Sequence, residues 1–279
     1  MNRLTTKLVS KALIISFVLV LLGFMTTPGY SDLILSDKNS TVQIDPSSQA
    51  GTHVWTVEGT NYLAKQWFWY RIGSTGPEQS IETLGLVAAD TYDLTHDGKM
   101  DTAVITYGDL DAGLEVDLTY SLRGGKTGTG VSDMGEQIRF ANNGANTLVL
   151  HFFQYANFKL SDGNDTVKFV NSSQVTQSSP GVGLSETVVT GFPQYHEAAT
   201  VTTTLDKLND QSATTLDNTY GPITGDVSWA FQWDITLGPD ASFIISKDKA
   251  LNVPEPSVLV LLGIGISCMA IGIRRRQMP

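Results

Sequence analysis

From Val227 to Leu237 the chain reads VSWAFQWDITL, and every second residue is large and apolar. Val227, Trp229, Phe231, Trp233, Ile235 and Leu237 share one face. Ser228, Ala230, Gln232, Asp234 and Thr236 share the other. A period of two is the geometry of a pleated strand with one face in a core, and it does not fit a helix. Leu114–Leu122 repeats the pattern. Shorter runs predict strands at 52–57, 67–72, 103–107, 137–141, 148–153, 166–170 and 243–246. Clusters of Gly, Asn, Asp and Pro punctuate them, among them Gly73–Pro77, Asp97-Gly98 and Gly124–Gly130. Many short strands separated this way predict an all-β fold, an antiparallel β-sandwich or a related jelly roll or barrel. Helix is confined to a turn or two at 203–209. The polar stretch 172–179 reads as a loop, and 247–256 as a tether after the last strand.

The two ends carry a different signal. Arg3, Lys7 and Lys11 precede an apolar stretch from Ala12 to Met25, and Pro28-Gly29 then breaks any helix. That is the layout of an export signal over 1–31, with cleavage near Ser31; an uncleaved N-terminal anchor is the alternative. At the other end, 257–273 carries no charge and is just long enough to span a bilayer. Arg274, Arg275 and Arg276 follow at once, which predicts the basic tail inside and the domain outside the cytoplasm. The chain thus divides into a signal at 1–31, a β domain at 32–252 and a C-terminal segment at 253–279.

Pro254, Glu255 and Pro256, the apolar span and the arginine cluster occur in order at the very end of the chain. Together they resemble the PEP-CTERM sorting signal of exported bacterial proteins. The resemblance implies recognition of Pro254-Glu255-Pro256 by an exosortase, a membrane transpeptidase, and an association with exopolysaccharide. It also implies that the domain is membrane-anchored, or released to the surface or matrix after processing. Phrases such as QWFWYRIG and AFQWDITLGPDASFIISKDKALNVPEP are similar to exported proteins of that group with no assigned activity.

Charge and cysteine narrow the functions. Of the 18 Lys and Arg, three lie in 1–31 and three in the tail, so 12 face 27 of the 28 Asp and Glu across 32–252, a net charge near −15. Nucleic acid, which demands a basic footprint, is excluded as a partner. The only cysteine, Cys268, lies in the C-terminal span. The domain therefore has no disulfide, thiol nucleophile or thiolate metal site.

Candidate chemistry is sparse. Asp97 and Asp101 flank a glycine in HDGKMD, loosely like an oxygen-rich calcium loop, but further acids at alternate positions are missing and an Asp-Gly turn is the preferred reading. No other cofactor is implied. Glu115 and Asp117 lie two apart on one strand face, a spacing open to a glycosidase pair, but in a chain this acidic an ordinary solvated face is the preferred reading. His53, His96, His151 and His196 show no metal spacing. The run Trp67–Tyr70 puts rings on both strand faces; an exposed row of Trp and Tyr would be the first sign of glycan binding. The sequence thus predicts an exported, non-catalytic β-sandwich that contacts exopolysaccharide. The alternatives are a carbohydrate-active enzyme using Asp109, Glu115 or Asp117 and, more weakly, a calcium-dependent adhesion module.

Overall fold

The computed structural model describes residues 31–253 apart from 110 and 162. The proposed signal, the Pro254-Glu255-Pro256 motif, the apolar span and Arg274–Arg276 lie outside the described residues. Among the described residues no helix is long and apolar enough to cross a membrane.

The chain runs through β1 (Leu33–Asp37), β2 (Ser40–Asp45), β3 (Gly51–Val57), β4 (Thr60–Asn61), β5 (Leu63–Ile72) and β6 (Gln79–Ser80) to a 3-10 turn at Ile81–Leu84. Next come β7 (Leu86–Tyr92), β8 (Thr102–Asp109), β9 (Leu114–Gly124), β10 (Val131–Asn142), β11 (Leu148–Phe158) and β12 (Asp165–Asn171). Then follow β13 (Gln174–Ser179), β14 (Val182–Thr190), β15 (Tyr195–Thr200), the helix α1 (Val201–Asn209), β16 (Ile223–Gly225), β17 (Val227–Leu237) and β18 (Ser242–Asn252). Sheet A has the order β1-β2-β3-β5-β11-β17-β15, with β4 on β3 and β6 on β5. Sheet B has the order β16-β12-β13-β14-β18-β10-β9-β8-β7. The expected antiparallel sandwich is present. One pair of neighbouring strands, β3 and β5, is parallel, and there Gly51 stands at φ 57° and a Cβ would lie 2.2 Å from the Trp67 ring.

The inner faces meet through aromatic rings. Phe152 on β11 stacks on Phe68 at 5.4 Å and meets Phe140 of sheet B edge-on at 4.8 Å. Phe158 stacks on Trp229 at 5.4 Å. All five tryptophans are fully buried.

A charged network sits among these rings. Lys247 and Lys249 of β18, Glu136 of β10 and Glu186 of β14 are wholly buried between the sheets. Lys247 lies 2.5 Å from Glu136 and 3.3 Å from Glu186; Lys249 contacts Glu136 and lies 3.4 Å from Glu186. Sheet A supplies Gln66, which donates to Glu136 at 2.7 Å, and Trp229, which donates to Glu186 at 3.0 Å. Burial alone would raise Glu136, but Lys247 and Lys249 more than offset it and hold its carboxyl well below the usual range. Two positive and two negative charges balance, the condition under which buried ions are tolerated.

Three readings from sequence need correction. Residues 174–179 are strand β13, not loop: the inward residue Gln177 bonds to Phe158 O and Asp165, so a buried polar side chain hid the alternation. Residues 247–252 belong to β18, not to a tether, because the core-facing positions are lysines matched by buried glutamates. The polar face of β17 is covered over Ser228–Gln232, since α1 and residues 210–218 pack on it with Leu208 and Leu216 buried.

On the outer face of sheet B, Asp133 lies beside Asp248. Partial burial, then the charge and hydrogen bond of Asp248, raise the Asp133 carboxyl to about 6 against the opposing pull of Arg123. The folded state therefore holds this proton more tightly than the unfolded chain, whose carboxyl titrates near 3.8. Its contribution is present in full below the unfolded value and is lost as pH rises to about 6. Asp133→Asn is expected to raise Tm at pH 7.5 and to flatten the Tm profile between pH 4 and 6. A scan of Tm against pH for both proteins checks this.

Candidate functional site

The outer face of sheet A brings together residues far apart in the chain. Register places His151 of β11 opposite both Arg71 of β5 and Asp234 of β17, so a guanidinium, an imidazole and a carboxylate form one row across three strands. His151 Nδ1 lies 2.6 Å from Asp234 Oδ1. An ionised carboxylate only accepts, so Nδ1 carries a hydrogen, and in the neutral imidazole Nε2 then presents a lone pair. Gln232 Nε2 donates to the same Asp234 oxygen at 2.9 Å, and Gln194 Oε1 accepts from the Asp234 backbone N–H at 2.7 Å. The imidazole is thus held in one tautomer and orientation by groups that are themselves held.

At the other end of the row, Arg71 Nη1 pairs with Glu78 Oε1 and donates to Thr214 O at 3.3 Å. Thr214 N donates back to Glu78 at 2.9 Å. Two buried polar atoms of this row and its partner are among those with no hydrogen-bond partner: His151 Nε2 and Glu78 Oε2. Arg71 stands between the residues that carry them. A buried acceptor without a donor is costly and calls for an explanation. Next to Arg71 opens a pocket of about 220 Å³, lined by Tyr70, Thr75, Gly76, Gln79 and Asp109 among others. The His151 and Asp234 side chains are 17% and 33% exposed while Arg71 and Glu78 are buried, so the row opens to solvent only at its Asp234 end.

A larger cleft, about 460 Å³, lies between Tyr62, Lys159, Ser161, Asp165 and Asp226 at the sheet edges. Asp165 is already engaged there, accepting from Leu160 N, Ser161 Oγ and Gln177 Nε2 at 2.8 Å each.

Of the residues singled out from sequence, His151 stands in this row and Asp109 lines the pocket beside Arg71; the others lie elsewhere. Asp101 accepts from the Leu94 and Thr95 N–H groups and from the Thr95 and Thr102 hydroxyls. These bonds outweigh the effect of burial and lower its pKa. Asp97 accepts from Lys99 N in the turn at Gly98. Both carboxylates thus close the 93–101 loop on itself, and among the described residues no three His, Cys, Asp or Glu side chains converge as a metal site. Glu115 and Asp117 are both held by Arg139, at 3.3 and 2.9 Å, on the outer face of sheet B. Asp109 accepts from the N–H groups of Asp111 and Ala112. His53 bonds Gly51 O, and His196 is buried between Phe169 and Tyr220, which pushes its pKa down. His53 Nε2 also lies 3.3 Å from Asp32; His151 is joined to Asp234 across paired strands, and sequence spacing gave no sign of it. The available clue was the polar Gln-x-Asp on β17.

The sequence matches no protein-family model and no curated protein. Among solved structures, the fold is similar to the Slr1438 protein of Synechocystis sp. PCC 6803, with a TM-score of 0.53 and 10% identity over 81% of this chain and 98% of that one. A putative aldose 1-epimerase from Escherichia coli K12 gives 0.46 at 10% identity over 80% and 98%, and a galactose mutarotase-like protein from Lactobacillus casei gives 0.43 at 10% over 80% and 100%. At 10% identity the likeness to the Slr1438 protein is one of fold alone.

Proposed function

We propose that the domain recognises a saccharide on the outer face of sheet A and transfers a proton on it through the Arg71–His151–Asp234 row. The observation that carries this reading is the pair of unpartnered buried atoms, His151 Nε2 and Glu78 Oε2, on the two neighbours of Arg71, which itself lines a pocket walled by hydroxyl, amide and carboxylate groups. A polyhydroxylated ligand supplies the missing donors. His151 Nε2 then accepts a proton from a sugar hydroxyl, Asp234 stabilises the imidazolium, and Arg71 faces the negative charge that develops. A base, its orienting acid and a cation suffice for proton transfer at an anomeric hydroxyl. Glycosidic hydrolysis calls for a second carboxylate across the bond, and Glu115 and Asp117 are held by Arg139 on the other sheet. The location belongs to the same proposal: export by the N-terminal signal, the domain outside the cytoplasm, and Pro254-Glu255-Pro256 read by an exosortase among exopolysaccharide.

A second reading keeps the saccharide and drops the chemistry. It is favoured by the shielding of His151 Nε2 from solvent. Anomer exchange of reducing aldohexoses, followed by NMR with the full-length protein, separates the two. The first reading expects faster exchange, reduced about 100-fold or more by His151→Ala, the usual weight of a general base. Saccharide binding with no acceleration would leave the envelope-binding reading. Neither binding nor acceleration with any saccharide would defeat both.

A further inference from the structure

The core network holds more than balanced charges: it aligns an amine, an amide and two carboxylates in the order that amide exchange requires. Lys247 Nζ contacts the carbonyl oxygen of Gln154, the side chain that β11 sends in from sheet A. The Gln154 amide nitrogen, the atom that would depart, donates to both oxygens of Glu186 at 2.9 Å. Glu186 Oε1 is also 3.3 Å from Lys247 Nζ, and Glu136 Oε2 is 2.5 Å from it. Lys247, Gln154, Glu136 and Glu186 are all buried, and Phe68 lies 5.2 Å beneath the ammonium.

We propose that Lys247 and Gln154 join in an intramolecular isopeptide bond that ties sheet B to sheet A. Lys247 leaves one proton with Glu136, and its Nζ attacks Gln154 Cδ to form the new carbon–nitrogen bond. The Cδ–Nε2 bond then breaks. A second Nζ proton passes through Glu186 to Nε2, which leaves as ammonia, and the third stays on the new amide. Lys247 and Glu136 both end uncharged while Lys249 and Glu186 keep their charges, so the core stays neutral throughout. No oxidant or co-reactant is needed.

Three physical features favour the step. The reacting groups are fixed in contact, which replaces a bimolecular encounter by an intramolecular one. Water, the competing nucleophile, is excluded. Burial lowers the Lys247 pKa against the attraction of Glu136, with Lys249 pushing it down further, so the nucleophilic amine is more accessible than on a surface lysine. Lys249 differs: burial would lower it too, but Glu136 and Glu186 outweigh that and hold it raised. The two lysines are thereby divided, one toward the amine and one toward the cation. The link would join residues 93 apart in sequence and anchor the final strand, β18, to the middle of sheet A.

Peptide mapping of the purified full-length protein tests this without any variant. After denaturation and digestion, the expected product is one branched peptide containing Gln154 and Lys247, lighter by one ammonia than the two linear peptides together. Recovery of both linear peptides in full yield, with Lys247 open to lysine-specific cleavage, would overturn the proposal. Glu186→Gln keeps shape and hydrogen bonding, and is expected to slow the linkage at least tenfold while the circular dichroism spectrum is unchanged. Linkage at the wild-type rate in that variant would remove Glu186 from the step.

Discussion

Glu136→Ala is expected to cost about 3–5 kcal/mol in urea unfolding, the range for breaking a buried ion pair by removing one partner. Glu136 is the nearest carboxylate to Lys249 and also holds Lys247 and Gln66. Its loss leaves Lys249 facing Glu186 alone at 3.4 Å, and strips Gln66 of the acceptor for its amide. The penalty comes from stranding charge rather than from any large net strength of the pair. Removing Lys249 together with Glu136, as the double Leu variant, is therefore expected to be more stable than Glu136→Ala, because Lys247 and Glu186 remain as a neutral pair. A Glu136→Ala protein within 1 kcal/mol of wild type would show the network to be wetter than its burial implies.

Trp229→Ala is expected to cost a similar amount, about 3–5 kcal/mol, for a different reason. The indole is wholly buried, stacks on Phe158 with an angle of 8° and lies between sheet B and the strands of sheet A. Deleting it opens a cavity that sheet strands cannot close by shifting. Its N–H also donates to Glu186 at 3.0 Å. Trp229→Phe separates the two effects: much of the volume stays, and about 1–3 kcal/mol is expected for leaving Glu186 short of a donor. Chemical denaturation of the three proteins reads both terms. Equal losses in the Phe and Ala variants would assign the whole effect to the hydrogen bond.

Alternation made the architecture legible wherever core-facing residues were apolar, as along β9 and β17. It failed where the core is polar. On β18, Lys247 and Lys249 stand at inward positions and read as solvent-facing. On β13 Gln177 does the same. Each is buried only because a partner on another strand satisfies it, Glu136 and Glu186 for the lysines, Phe158 O and Asp165 for the glutamine, and single-sequence periodicity carries no record of partners. The candidate site was hidden in the same way. Arg71, His151 and Asp234 are 80 and 83 residues apart and meet only through the pairing of β5, β11 and β17. The acids that cluster in sequence, from Asp90 to Asp117, are instead consumed by loop caps and by Arg139. Local density of carboxylates was therefore a poor guide to chemistry, and strand register the deciding one.

The proposed function requires the polar row on the outer face of sheet A to meet a saccharide. Side-chain NMR of the His151 imidazole and the Arg71 guanidinium, recorded while an aldohexose is titrated into the full-length protein, tests it most directly. Saturable shifts of both groups are expected, with His151 Nε2 moving more than Nδ1 because, of the two ring nitrogens, Nε2 lacks a partner. Unmoved His151 and Arg71 signals, with shifts confined instead to Tyr62 and Lys159 at the larger cleft, would contradict it.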